Sequence, residues 1–447
     1  MRIDDSKLTQ FIAREQDAYA QGRPVSRERA ASSNGFFGGV PQHWMLDWAT
    51  SFPMQVSHAS GTTLTDIDGH QLTDLCLGDS GAMFGHSPPA VAHALRNVAE
   101  QGYTTMLPSH LAVEVSALLK ARFGLPFWQI TLSASDANRF ALRAARAITG
   151  RKKVLVFDGC YHGAVDETAV DFHDGQTRAK PSLWGQAVDL STITTCVPFN
   201  DFDAAQIALS SGDIACVIME PALTNCGIVA PVAGFLDHIR KLTRQYGALL
   251  LIDETHTLST GLGGWCAVHG LEPDIFVAGK AVAGGIAAGI WGLSDEVADS
   301  LHRVRREIPA GHSGVGTTLS GSHLQMAALR ACLGDVMTQA TYDDMIASAM
   351  ALESAINAQI AAYDLPWCVV RIGARLETIF APRPPINAVE MRASFNNKLE
   401  AALHLGMINR GFLVTPFHNM LLAGPGLPTD SASRYAHALS SILTQLT

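Results

Sequence analysis

The chain has no long run of lysine or arginine; Arg303, Arg305 and Arg306 cluster in HRVRRE, which reads as the solvated end of a helix. A formal charge of −9 spread over 447 residues aids solubility and offers no footprint for a nucleic-acid backbone. No stretch approaches the roughly 18 uninterrupted apolar residues of a membrane span. The opening residues, MRIDDSKLTQFIAREQDAY, are charged and amphipathic and lack the apolar segment of a secretory signal. The eight cysteines are scattered, with no CxxC pair and mostly apolar neighbours, as in IACVI and WCVV. Reduced, buried thiols of a cytoplasmic protein are expected, and neither a disulfide framework nor a metal site has spacing to support it. Nor is there an internal repeat, a low-complexity linker, or a GxGxxG after the early strands that would mark a Rossmann nucleotide site.

What is present is an alternation of short aliphatic runs and helical stretches, the pattern of a parallel sheet covered by helices in an α/β fold. The expected strands are WQITLSA (128–134), KKVLVFDG (152–159), STITTCVPF (191–199), DIACVIMEPA (213–222), GALLLIDE (247–254), DIFVAGK (274–280) and AGIWGLS (288–294). Before them, SGTTLTDIDGHQLTDL (60–75) reads as a β-hairpin turning at Asp68-Gly69. After about Ser320, helices and the strands VVRIGARLETIFA and GFLVTPF suggest a second, smaller domain that draws on both ends of the chain. The boundaries expected are 1–75 for an N-terminal segment of the small domain, 76–325 for the large domain, and 326–447 for the C-terminal small domain.

Ligands of open α/β sheets sit outside the carboxyl ends of strands, so the residues that end the apolar runs are the ones to examine. Lys280 ends DIFVAGK and precedes AVAGGIAAG, among small residues with little to pair with. Desolvation of a lysine lowers its proton affinity, which imine chemistry requires. Asp253 ends LLLID, 27 residues earlier, and adjacent parallel strands would carry both groups to one rim. A buried ion pair is one reading. The other is pyridoxal phosphate, with Lys280 holding its aldehyde as a Schiff base and Asp253 keeping its ring nitrogen protonated as an electron sink. That reading needs a phosphate site and a ring-stacking residue. The small-residue turn in TLSASDANRFALRAARAITG, ahead of a helix starting near Asp136, suits the first, and Tyr161-His162 in FDGCYHG suits the second.

In this order the residues resemble the class III pyridoxal-phosphate aminotransferases, in the branch containing glutamate-1-semialdehyde aminomutase and the ω- and β-amino acid transaminases. The resemblance runs from about residue 45 to the C-terminus, through TDIDGHQLTDLCLGDSGAMFGHSPPAV, SASDA, DGCYHG, MEPALTNCG, LIDETHTLSTGLGG, PDIFVAGK and GTTLSGSHLQMAA. It implies the type I fold of these enzymes: a large domain with a seven-stranded, mostly parallel sheet and a small α+β domain from both termini. It implies Lys280 and Asp253 as catalytic residues, Ala134 and Ser135 at the phosphate, and Tyr161 on the ring beside His162. Glu220 and Asn225 would lie near the ring hydroxyl, and Thr318 would reach the phosphate of a neighbouring subunit in a homodimer with shared sites.

The sequence departs from the family at several of these positions. Thr255 and His256 stand where an aliphatic residue usually packs on the cofactor, and SASDA replaces Ser-Gly-Thr-Glu-Ala. FGGVPQHWMLDW and HTLSTGLGGW lack the arginine with which relatives bind a substrate carboxylate. His43 and Trp44 could line the substrate pocket instead, and Arg375 is a candidate anion clamp, with a surface or interdomain ion pair as its plainer role. The activity expected is transfer of an amino group from an amine, β- or ω-amino acid to a keto acid such as pyruvate. An ammonia-lyase or phospholyase, or an aminomutase, would use the same apparatus, and intact Lys280 and Asp253 argue against a non-catalytic subunit.

Overall fold

The computed structural model describes residues 3–32, 35–42, 48–309 and 314–447. They fall into two compact units: residues 89–339 with 385–392, and residues 1–88 with 340–384 and 393–447. The changeovers at Pro88 and Gln339 lie later along the chain than the sequence-based boundaries.

The larger unit is built on seven strands: β1 (Phe127–Thr131), β2 (Lys153–Phe157), β3 (Thr194–Val197), β4 (Ile214–Met219), β5 (Leu249–Asp253), β6 (Ile275–Ala278) and β7 (Gly289–Leu293). Each lies within one of the seven apolar runs named above, apart from Phe127 at the start of β1. Their spatial order is β1-β7-β6-β5-β4-β2-β3, and β7 runs antiparallel to both its neighbours while the other pairings are parallel. Every residue of β4 and β6 is buried, as expected of strands covered by helices on both faces. One covering helix, Phe235–Tyr246, buries Phe235, Ile239 and Leu242 at helical spacing. Phe235 meets Phe157 and Phe199 edge-on, with ring centroids 5.6 and 5.2 Å away.

The sequence places a strand through Ala134, but β1 stops at Thr131 and the following helix, α1, spans Ala134–Thr149. Ser133 caps it, its hydroxyl accepting from the Asp136 N–H at 3.2 Å, so the helix begins two residues before the position expected.

The smaller unit holds the expected hairpin, Thr63–Asp66 with Gln71–Asp74, with Val56–Ser60 added antiparallel and Phe412–Leu413 added parallel. A second sheet pairs Cys368–Ile372, Arg375–Ile379 and Met420–Leu422. The helix Gln339–Ala362 is long and apolar enough by composition to cross a membrane. Its Ala349, Leu352, Ile356 and Ile360, spaced three and four apart, nevertheless pack into this unit's core with Phe11, Leu403 and Ile442. The helix His323–Ala331, expected in the small domain, belongs to the larger unit.

Candidate active site

The site is assembled at the carboxyl ends of adjacent strands of the larger unit. β5 pairs in parallel with β6, aligning Asp253 with Val277, and the chain reaches Lys280 three residues on. Lys280 takes a left-handed backbone with φ of 48°, a conformation that non-glycine residues adopt at a cost and that gathers at functional sites. Gly279 before it lies against the start of α1: a Cβ there would come within 2.8 Å of Ala134 Cβ and 2.9 Å of its backbone nitrogen. The end of β6 and the N-terminus of α1 therefore converge because residue 279 has no side chain.

Asp253 is almost completely buried and receives four donors. Thr255 gives its hydroxyl at 2.6 Å and its N–H at 3.1 Å to Oδ1, while Asn138 and His162 Nδ1 approach Oδ2 at 2.8 and 3.0 Å. Burial alone would raise the Asp253 pKa. The hydrogen bond and charge of His162, with Thr255 and Asn138, outweigh it and hold Asp253 below the ordinary carboxylate range. Burial likewise works against a charged His162, but neighbouring Cys160 and the Asp253 carboxylate prevail and its pKa rises to about 10. The pair is a buried ion pair at the end of the strand.

The neighbouring acids differ. Glu254 is wholly buried and accepts from the Thr257 hydroxyl at 2.5 Å and from the Trp265 and Cys266 N–H groups at 3.0 and 2.6 Å. It ties down the turn after β5, and burial holds its pKa high despite those donors. Glu220, which follows β4, accepts from the Tyr161 N–H at 3.2 Å, from Thr224 Oγ1, and from Asn225 Nδ2 at 3.3 Å. Burial raises its pKa, and the charge of His162 and the donors do not cancel that.

Lys280 is not short of a partner, as its Gly/Ala surroundings suggested. Its Nζ lies 2.8 Å from Nε2 of His256, the residue that leads into the turn at Thr257–Thr260. Thr255 and His256, the two departures in this stretch, thus contact Asp253 and Lys280 respectively. Ser135 Oγ accepts from the Ala164 N–H at 3.0 Å, bringing the loop after His162 against the first turn of α1. Tyr161 anchors Glu220 by its backbone while its ring is half exposed.

The remaining candidates lie elsewhere. Thr318 is exposed and lines, with Thr104, Met106, Leu107 and Trp128, a cavity of about 880 Å³. Arg375 is fully buried in the smaller unit, where it donates to Ser80; it is therefore not a surface ion pair. His43 and Trp44 fall outside the described residues. Sequence reasoning missed Asn138, which bridges Asp253 and the His162 carbonyl at 3.1 Å. The signal was a single amide among Ala137, Ala141 and Ala145 on the buried face of α1.

These residues fit pyridoxal phosphate. His162 Nε2 and Asn138 Oδ1 are buried polar atoms without a hydrogen-bond partner among the described residues, beside a carboxylate held in its charged form. The N–H groups that open a helix have no acceptor within it, and here they lie beside the end of β6. Residues 45–413 match the family Aminotransferase class-III. The chain belongs to the class III aminotransferases. It is a pyridoxal-phosphate-dependent member of that family.

Among its class III relatives, a glutamate-1-semialdehyde 2,1-aminomutase of Anaeromyxobacter dehalogenans is 32% identical over 371 residues, 81% of this chain and 84% of that protein. The crystal structure of a glutamate-1-semialdehyde-aminomutase from Pseudomonas aeruginosa PAO1 is 42% identical, covers 100% of both chains and superposes with a TM-score of 0.97. A lysine-to-alanine variant of it was crystallised in complex with PMP, with the same identity and TM-score. A β-phenylalanine aminotransferase from Variovorax paradoxus is 25% identical over 98% of this chain and 97% of its own, with a TM-score of 0.86. The weight of these names falls on aminomutases more than on the transaminases expected from the sequence.

Proposed function

We propose that this chain is an aminomutase of the glutamate-1-semialdehyde type, shifting an amino group between neighbouring carbons of one small substrate. The observation that carries the reading is the full-length likeness to the Pseudomonas aeruginosa aminomutase, at 42% identity and a TM-score of 0.97. Pyridoxal phosphate supplies an aldehyde for an amine to bond and a protonated ring that accepts electrons from the carbon bearing that amine.

Lys280 Nζ would hold the aldehyde of the cofactor, and its amine would be the group placed to carry a proton at the reacting carbon. His256 Nε2, 2.8 Å from Lys280 Nζ, would hydrogen-bond that amine when it is free. Asp253, kept ionised by His162, Thr255 and Asn138, would pair with the ring nitrogen. Ala134 and Ser135 give backbone and hydroxyl donors to the phosphate at the head of α1. Tyr161 would cover one ring face, and Glu220 with Asn225 would stand by the ring hydroxyl.

A homodimer with shared sites belongs to the same reading, with Thr318 reaching the phosphate of the second subunit. The exposed apolar side chains of Met106, Leu107 and Leu319 near that threonine support a covered surface there. Cytoplasmic residence is part of this reading.

Transamination is the second reading, favoured by the likeness to the β-phenylalanine aminotransferase and by the missing arginine in FGGVPQHWMLDW and HTLSTGLGGW. One experiment separates them. Purified protein is given glutamate 1-semialdehyde alone, and a panel of amines and β- and ω-amino acids with and without pyruvate. Isomerisation with no acceptor supports the aminomutase. Alanine formed only with pyruvate establishes the transaminase, and ammonia released without an acceptor a lyase; either result, without isomerisation, overturns the proposal.

A further inference from the structure

Residues 385–392 belong to the larger unit although the chain on either side of them, 340–384 and 393–447, belongs to the smaller one. This short strap crosses the carboxyl ends of three adjacent strands, β3, β2 and β4. Beyond β3, Asn200 Nδ2 donates to the Ile386 carbonyl at 2.8 Å. Beyond β2, Arg392 forms a two-pronged pair with Asp158, at 2.8 and 2.9 Å, and reaches Asp171 at 3.2 Å. Beyond β4, Met391 packs where a side chain at Gly227 would stand.

Asp158 is the residue at which the chain turns from β2 toward Tyr161 and His162. Its carboxylate side chain is 2% exposed and also accepts from the Phe172 N–H at 3.1 Å. Gly159, next along, has φ of 84°, and a Cβ there would lie 2.7 Å from both Ala388 Cβ and Cys226 Sγ. The strap is thus wedged against Gly159 on one side and the Cys226-Gly227 end of the Glu220 loop on the other. Those two loops are joined to each other by the bond from the Tyr161 N–H to Glu220.

We propose that Arg392 is a positioning residue for the cofactor site, holding through Asp158 the turn that carries Tyr161 and His162. The inference rests on the pyridoxal-phosphate reading of that site. A planar guanidinium gripping both oxygens of a carboxylate fixes orientation as well as charge, which a lysine at the same place does not. Removing it leaves Asp158 buried without its cation, and the turn relaxes to solvate it.

The test uses the full chain stripped of cofactor and titrated with pyridoxal phosphate, following visible absorption, for the native protein, Arg392→Ala, Arg392→Lys and Lys280→Ala. Melting temperatures are measured in parallel. Loss of a charge-assisted hydrogen bond predicts about a tenfold weaker hold on the cofactor in Arg392→Ala. Arg392→Lys should fall between it and the native protein, and the pH midpoint of the visible band should move in both variants. Native cofactor affinity and pH midpoint in Arg392→Ala would overturn the proposal, as would a lowered melting temperature with neither changed. Should Arg392→Ala fail to fold, Arg392→Lys is judged by the same two readouts. A native protein that never forms a Lys280-dependent band would sink the cofactor reading itself; a native band unmoved by the Arg392 variants would sink only the role of Arg392.

Discussion

The rim of the large sheet and the interior of the smaller unit each bury a histidine, and the two have opposite fates. His162 lies against Asp253 and is held protonated, with its pKa raised to about 10. His404 packs beneath Trp48, ring edge to ring face with centroids 5.2 Å apart, and neither ring nitrogen has a hydrogen-bond partner among the described residues. Burial pushes its pKa down to about 3. Desolvation acts the same way on both, so the partners of His162, Cys160 and the Asp253 carboxylate, decide that it becomes the charge. The charged ring stands at the candidate site, and the neutral one serves packing.

The largest effect should come from removing Lys280, the proposed Schiff-base residue. Lys280→Ala should abolish the visible band on adding pyridoxal phosphate and cut turnover by more than about a thousandfold, measured by absorbance and by product formation. Asp253→Asn breaks the comparison directly, because it deprives His162 of its charged partner. Its pKa should fall toward that of His404, followed by NMR titration, and stability should drop by about 3 kcal/mol in denaturant unfolding. A His162 that stays charged in Asp253→Asn would show that the carboxylate is not what sets it apart.

The pH dependences of the two histidines have opposite signs. The raised pKa of His162 means its contribution to stability is fully present below its unfolded value of about 6.5 and is lost as pH climbs through about 10. The depressed pKa of His404 gives a contribution present above about 6.5 and lost as pH falls toward about 3. His404→Leu should therefore melt like the native protein near pH 8 and be the more resistant of the two at pH 5. Equal losses on acidification would refute the assignment. The smallest effects belong to the departures beside Asp253. Thr255→Val removes one hydroxyl donor, a loss of about 1 kcal/mol, so cofactor affinity should weaken about fivefold. His256→Gln should shift the substrate preference; unchanged affinity and preference in the double variant would show that this pair does not define the enzyme's subgroup.

Much of this was legible in the chain because strands and their ends are local features. Seven apolar runs marked seven strands, and Lys280 and Asp253 stood out because a charge at the end of a fully buried strand needs a reason. Partnership is not local. The bond between His256 and Lys280 depends on how a turn folds back across 24 residues, and Arg375 meets Ser80 across 295. Asn138 was hidden because an amide inside an alanine-rich helix looks like a surface residue until the face it occupies is known. The start of α1 was misplaced by two residues because Ser133 and Ser135 are both plausible caps, and only the hydroxyl of Ser133 reaches the Asp136 N–H.

The left-handed backbone at Lys280 has a consequence for durability. A lysine there occupies a conformation that glycine adopts freely, so the fold is less stable at that point than it could be. Lys280→Gly should consequently melt at a higher temperature than Lys280→Ala, by the equivalent of about 1 kcal/mol. At the residue proposed to hold the cofactor, the protein retains a side chain that its own backbone would rather be without.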